Sequence, residues 1–227
     1  MLVHVAFTSA ESAAAPLGIV VDVLRATSTI TQALASGYKR VLCCAEIEEA
    51  RALREELPDS LVGGERTAIR VPGFDLGASP REFLEPRAET LILTTTNGTG
   101  TILEAASRCD EVVLGSLLNL GAVVRSTQDR GTDVAVICAG FQGAFALDDA
   151  YCAGRIVERL DAERSDAAIA AALVAASFPD PEAGLNARTY GPPGLEEDIA
   201  WCAREDVLDI VPRFSGMVGT AAEIVPK

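Results

Sequence analysis

Histidine and lysine are almost missing from this chain: one His, His4, and two Lys, Lys39 and Lys227, in 227 residues. A single His in an N-terminal apolar run leaves no Ser-His-Asp triad, no phosphohistidine relay and no multi-His zinc site. Positive charge is scarce altogether. Nineteen Lys and Arg face 33 Asp and Glu, for a net charge of −14. Such a balance repels a phosphate backbone and excludes a general nucleic-acid binder. The six cysteines, Cys43, Cys44, Cys109, Cys138, Cys152 and Cys202, form no Cys-x-x-Cys pair, which removes zinc and thioredoxin-type chemistry. None has an Arg six positions on, so the Cys-x5-Arg phosphatase loop is absent too. They sit mostly in apolar runs, where a free thiol acts as a small hydrophobe, and they point to a reducing compartment. No apolar run reaches 18 residues, and the alanine-rich stretch near residues 167–176 lies between Asp166 and Asp180. Residues 1–7 carry neither the basic region nor the long apolar run of a signal peptide. These gaps predict a cytoplasmic protein without a membrane segment.

What is present is a 49% apolar composition, enough for a sizeable core. Short Val, Ile and Leu runs bounded by turn formers predict strands at 3–7, 18–24, 41–44, 61–63, 90–95, 112–115, 133–138 and near 210–211. Helical spacing predicts helices at 28–36, 47–57, 98–108, 120–129, 148–160, 166–177 and 194–204. The alternation argues for a three-layer α/β/α architecture with a mixed, mostly parallel sheet in one domain over 1–227. Two stretches lack periodicity. Residues 65–89 look like a functional loop, and 178–194, with four prolines, like a flexible connector. Residues 147–227 read as a helical C-terminal region.

An internal repeat is expected at an offset of 72. Thr27, Thr29, Ile30, Ala33, Val41, Leu42, Ala50 and Val62 match Thr99, Thr101, Ile102, Ala105, Val113, Leu114, Ala122 and Val134. Composition alone would give about two or three such matches. The halves run approximately over 18–64 and 90–136.

Both halves place hydroxyl-rich residues between a buried strand and a helix: Asp22-Val23-Leu24-Arg25-Ala26-Thr27-Ser28-Thr29 and Thr94-Thr95-Thr96-Asn97-Gly98-Thr99-Gly100-Thr101. A first helical turn has unpaired N–H groups and the positive end of the dipole, so it can hold an anion. Ordinary N-capping needs one such residue rather than four. Neither segment is a P-loop, and Gly98-Thr99-Gly100 lacks the third glycine of a dinucleotide fingerprint. In Gly63-Gly64-Glu65-Arg66 two glycines would turn the chain after a strand, leaving Glu65 for metal or acid/base work beside a substrate-binding Arg66, or simply a surface ion pair. Asp148 and Asp149 open a helix, either as an N-cap pair or as a Mg²⁺ site, and adjacent acids cannot both face one ion.

Taken together, DVLRATST at 22–29, GGER at 63–66, GFDLGASP at 73–80, TTTNGT at 94–99, CAG at 138–140, LDDAYCAG at 147–154 and DIAWCAREDVLDIV at 198–211 resemble the ComB-type 2-phosphosulfolactate phosphatase family. The segments run in family order over most of the chain. Leu147-Asp148-Asp149 stands where the family has Leu-Glu-Asp, and 9–15 lacks matching residues. The resemblance implies an α/β/α fold with two similar halves and Mg²⁺-dependent hydrolysis of (R)-2-phospho-3-sulfolactate to 3-sulfolactate and phosphate, towards coenzyme M. That substrate carries about four negative charges, of which the phosphate supplies roughly −1.5 to −2. The implied site has Asp22, Arg25 and Glu65 as catalytic residues. Mg²⁺ would be held by Asp22 and one of Glu65, Asp148 or Asp149. Arg25, Arg66 and Arg81 would clamp anions, and Thr27, Ser28, Thr29, Asn97, Gly98 and Thr99 would donate hydrogen bonds. The nucleophile would be metal-activated water, with covalent attack by Asp22 as the alternative. Another small phosphomonoester as substrate, or a non-catalytic anion-binding role, stays open. The apolar content is compatible with a homodimer. Eight of the acids, with only Arg188 and Arg204, fall in 178–211, which suggests that the negative charge lies away from the site.

Overall fold

The computed structural model describes residues 1–11, 13–189 and 193–227. The described residues form a three-layer α/β/α arrangement around one mixed sheet of eleven strands. One parallel block contains β1 (Leu2–Ala6), β2 (Leu17–Val21), β7 (Glu111–Gly115), β8 (Val134–Cys138) and the short edge strand β9 (Glu163–Arg164). The other contains β3 (Arg40–Cys43), β4 (Leu61–Arg66) and β6 (Thr90–Thr94), with β5 (Ile69–Arg70) folded back antiparallel on β4. Every residue of β2 and β8 is buried, as expected for strands covered on both faces.

Side-chain alternation separates the layers. Val20, Ile137, Val41, Cys43, Leu91 and Leu93 pack with Ile30 and Ala33 of α1 (Ala26–Ser36) and Ile102 of α3 (Gly98–Ala106). Their neighbours Ile19, Val21 and Val136 face α4 (Leu120–Arg130), α5 (Leu147–Arg159) and α6 (Asp166–Ala176). Leu42, Ile92 and Val62 instead face Ala50 of α2 (Ile47–Glu56). Each fully buried Ile or Leu contributes roughly 1.5–3 kcal/mol. α1 stops at Gly37, whose φ of 115° lets its N–H return to the carbonyls of Ala33 and Leu34.

The blocks meet through a hairpin of β10 (Arg213–Val218) and β11 (Ala221–Val225), antiparallel to β7 and to β3 respectively. This corrects the helical reading of 147–227, since the last strands form the centre of the sheet. In the strand order β5-β4-β6-β3-β11-β10-β7-β2-β8-β1-β9, the segments β2, β3, β4 and β6, β7, β8 occupy mirrored places about this hairpin. α1 and α3 cross between the blocks in opposite senses. A second correction concerns Gly63 and Gly64, which lie inside β4 rather than in a turn. A Cβ on Gly64 would stand 2.4 Å from the Thr94 carbonyl oxygen, so the glycines serve close strand approach. No helix among the described residues is long and apolar enough to cross a membrane. The stretch 178–194, expected as a flexible connector, instead contains α7 (Pro181–Asn186), capped by Asp180, and α8 (Glu196–Cys202) follows; its residues 190–192 lie outside the described residues, as does position 12 of the 9–15 stretch.

Candidate active site

The turn after β2 closes on itself. The Ala26 N–H donates to Asp22 Oδ1 at 3.1 Å, the Thr27 N–H and hydroxyl donate to the Asp22 carbonyl at 2.9 Å, and the Asp22 N–H donates to Thr27 Oγ1. The Ser28 hydroxyl bonds the Val23 carbonyl and the Thr29 hydroxyl the Ala78 carbonyl, both at 2.8 Å. All three hydroxyl residues are fully buried. Thr27, Ser28 and Thr29, expected to donate hydrogen bonds to a ligand, here donate their hydroxyls to backbone carbonyls and brace the turn from behind. The turn after β6 repeats the device: the Thr95 N–H donates to Thr99 Oγ1, and the Thr99 N–H donates to Thr95 Oγ1. Thr99 is likewise buried and structural.

The braces leave the two helix starts facing each other. A Cβ on Gly98 would lie 2.4 Å from Ala26 Cβ and 2.5 Å from Asp22 Oδ2, so only glycine lets the first turn of α3 reach Asp22. Between them opens a cleft of about 540 Å³, counting its mouth, lined by Asp22, Arg25, Glu65, Asn97, Asp148 and Arg188 among others. It lies beyond the carboxyl ends of β2 and β6, as expected for ligand sites of α/β sheets.

Three carboxylates share this space. Asp22 is pushed up to about 7, first by burial and then by the charges of Glu65 and Asp148, against the opposing Ala26 N–H and Arg25. Glu65 Oε1 accepts the Thr96 N–H at 2.7 Å, and Oε2 accepts the Ala68 N–H and the Thr96 hydroxyl. It fastens the left-handed turn at Thr67 and Ala68 to the turn after β6. Asp148 lines the cleft at the start of α5. Asp149 does not line it: its two oxygens accept the N–H groups of Val23 at 2.9 Å and Gly140 at 3.0 Å. Burial, and then Asp148 and Asp22, raise the Asp149 carboxyl well above the usual range. Of the adjacent pair, Asp148 is the cleft residue and Asp149 a staple between two loops. Burial and then Asp149 also push the Cys138 thiol far above its ordinary value.

The arginines divide. Arg25 NH1 pairs with Asp198 Oδ2 of α8 at 2.6 Å, NH2 donates to the Ala68 carbonyl, and Asp198 Oδ1 accepts the Ser79 hydroxyl. Arg66 turns away, donating to the Glu65 and Ala45 carbonyls and to Thr94 Oγ1. Arg81 forms an ion pair with Glu197 in a neighbouring surface groove, outside the cleft. Neither Arg66 nor Arg81, expected to clamp anions, lines the cleft. Asn97 stays in the cleft, its Oδ1 accepting the Gln142 N–H. The acidic 178–211 segment, expected away from the site, supplies Asp198, Arg188 and Leu195 to it. None of the three stands in a turn-like motif, although Asp198 opens the DIAWCAR segment.

A family model described as 2-phosphosulpholactate phosphatase matches residues 4–216. A protein of Caldanaerobacter subterraneus subsp. tengcongensis named "Probable 2-phosphosulfolactate phosphatase" is 37% identical over 219 residues, 90% of each chain. Proteins of the same name from Carboxydothermus hydrogenoformans and a Synechococcus species are each 38% identical, covering 86% of this chain and 84% and 87% of their own.

Proposed function

Because the chain belongs to the 2-phosphosulfolactate phosphatase family, we propose that it hydrolyses (R)-2-phospho-3-sulfolactate to 3-sulfolactate and phosphate, with Mg²⁺, in the cytoplasm, as a step of the coenzyme M type. The observation that carries this reading is the meeting of Asp22, Asp148 and the first turn of α3 in one cleft with Arg25 in its wall.

The donor set suits Mg²⁺. The cleft brings together hard carboxylates, and the crowding that raises Asp22 is what a cation relieves. Among the described residues no group of three His, Cys, Asp or Glu side chains is placed to hold an ion alone. Mg²⁺ does not require one, since it takes one or two carboxylates and completes its shell with water and phosphoryl oxygens. Asp22 and Asp148 would hold it. When bound, it supplies charge neutralisation at the phosphoryl oxygens and a more acidic attacking water.

The chain's residues position the rest. The start of α3 places the positive end of its dipole beside an oxyanion, and Arg25, held by Asp198 and the Ala68 carbonyl, adds its charge to the cleft wall. Leu24, Phe141 and Leu195 form apolar wall, which strengthens each charged contact. Water oxygen bonds to phosphorus, the bond from phosphorus to the C2 oxygen breaks with its electron pair, and that oxygen takes a proton as 3-sulfolactate leaves. Phosphate release from (R)-2-phospho-3-sulfolactate, measured with Mg²⁺ and with EDTA and against phosphomonoesters lacking both acid groups, tests the reading. Turnover confined to Mg²⁺ and to the acidic substrate is expected. Equal turnover of simple phosphomonoesters, or unaltered turnover in EDTA, sinks it.

A further inference from the structure

Two buried carboxylates make matching bonds. Glu65, near the end of β4, accepts the Thr96 N–H of the turn after β6 at 2.7 Å and the Ala68 N–H of the loop after its own strand. Asp149, in the first turn of α5, accepts the Val23 N–H of the turn after β2 at 2.9 Å and the Gly140 N–H of the loop after β8 at 3.0 Å. Each turn so held opens a crossing helix, α3 in the first case and α1 in the second. Each loop so held has left-handed backbone, with φ of 65° at Ala68 and 70° at Gly140. In the mirrored strand order, β4 closes the first set of strands and β8 the second. The correspondence therefore crosses. The carboxylate that closes the first set fastens the turn of the second, and the one that follows the second set fastens the turn of the first.

The geometry points to Glu65 and Asp149 as reciprocal positioning residues, which together fix the gap between Asp22 and the first turn of α3. Their effect on turnover rests on the phosphatase reading above; their effect on the turns does not. The Val23 bond lies one residue from Asp22, and the Thr96 bond two residues from Gly98. The two turns touch where Gly98 meets Ala26 and Asp22. Freeing either turn lets that one contact open, and reacting groups misplaced by about 1 Å can lose a hundredfold in rate. A gap already open changes little when the second staple goes, so the two losses of turnover should not multiply. Glu65 lines the cleft and Asp149 does not. Shared behaviour of the two therefore separates positioning from direct contact with an ion or substrate.

The test uses E65A, D149A and the double variant in the full chain, with E65Q and D149N as milder versions that keep one amide oxygen as acceptor and a fold to measure. The first readout is amide hydrogen exchange, residue by residue by NMR, without metal or substrate. E65A should lower protection at Thr96 and Ala68 about tenfold or more and spare Val23 and Gly140. D149A should do the reverse. The Gln and Asn versions should show the same pattern, weaker. The second readout is phosphate release from 2-phospho-3-sulfolactate. Each alanine variant should lose about ten- to a hundredfold in kcat with KM changed less than about threefold. The double variant should fall no more than about threefold below the worse single one. Multiplying losses, unchanged protection at Thr96 in E65A, or a uniform rise in exchange over the whole chain overturns the assignment. So does a loss of calorimetric Mg²⁺ binding in E65A with Thr96 still protected, which would make Glu65 a ligand rather than a staple. A wild-type chain that releases no phosphate, while its variants show the crossed exchange pattern, keeps the staples and overturns the phosphatase reading.

Discussion

The pair between Arg25 and Asp198 ties the turn after β2 to α8, and breaking it should lower stability as well as turnover. The two charges are 2.6 Å apart with side chains 9% and 8% exposed. Removing one partner of such a pair leaves a buried charge uncompensated, at a cost of about 3–5 kcal/mol. R25A would leave Asp198 with the Ser79 hydroxyl, and D198A would leave Arg25 with the Ala68 carbonyl. The double variant removes both charges, so its loss should match one single variant rather than the sum, a coupling of about 3 kcal/mol. For a chain of this size each kcal/mol lowers Tm by roughly 2–4 °C, so each single variant should melt about 6–20 °C lower. Guanidinium titration followed by Trp201 fluorescence is well placed, because Trp201, the chain's one tryptophan, sits on α8 with its Nε1 donating to Gln32 of α1. R25K should recover part of the stability and little of the activity. Single-variant losses below about 1 kcal/mol, or losses that add to within about 0.5 kcal/mol, would refute the reasoning.

Other outcomes follow from the same site. D22N should abolish phosphate release yet raise the metal-free Tm at pH 8, checked by parallel phosphate and thermal-shift assays. Raising Asp22 from 3.8 to about 7 corresponds to at most about 4 kcal/mol stored in its ionised form. Because the folded-state value exceeds the unfolded one, metal-free stability should grow as pH falls from 8 through 7, and Mg²⁺ should raise Tm more at pH 8 than at pH 6. A Mg²⁺ effect independent of pH counts against that linkage. G98A forces a Cβ to 2.4 Å from Ala26 and 2.5 Å from Asp22 Oδ2, so the turns must part and kcat should fall at least about a hundredfold, read by steady-state phosphate release. D149A frees two buried N–H groups and should destabilise by about 2–4 kcal/mol, read by denaturant titration, whereas D149N should recover about half because one amide oxygen still accepts.

The repeating strands and helices were legible because their signals are local. The 3–4 spacing of Ile47, Ala50, Leu53 and Leu57 gives α2, and the run Leu91-Ile92-Leu93 gives β6. The C-terminal hairpin was not legible, for a physical reason. β10 alternates half-buried with exposed residues and includes Gly216, while β11 begins with two alanines. Neither carries the branched-residue run of a central strand. Its place is fixed by pairing with β3 and β7, about 180 and 100 positions earlier, and no window of neighbouring residues contains that information. The same holds for Gly64, where the requirement comes from the Thr94 carbonyl.

At the site, the sequence marks turns more clearly than ligands. A Ser or Thr at a helix start can cap the backbone or donate to an anion, and both uses favour the same residue type. Burial decides between them: Thr27, Ser28, Thr29 and Thr99 are fully enclosed, so their hydroxyls shape the turns that border the cleft. Charge shows a parallel ambiguity. Arg25, Arg66 and Arg81 stand in motif segments, but an arginine answers to whichever carboxylate or carbonyl the fold brings near, and two of the three are drawn away by Glu197 and Ala45. Asp198, in the most acidic part of the chain, comes to rest against Arg25, and that charge match docks α8 beside the cleft. Local net charge along a sequence therefore says little about the field at a site assembled from both ends of it. Here the acidic segment both pairs with the motif arginine Arg25 and brings Arg188 to the cleft wall.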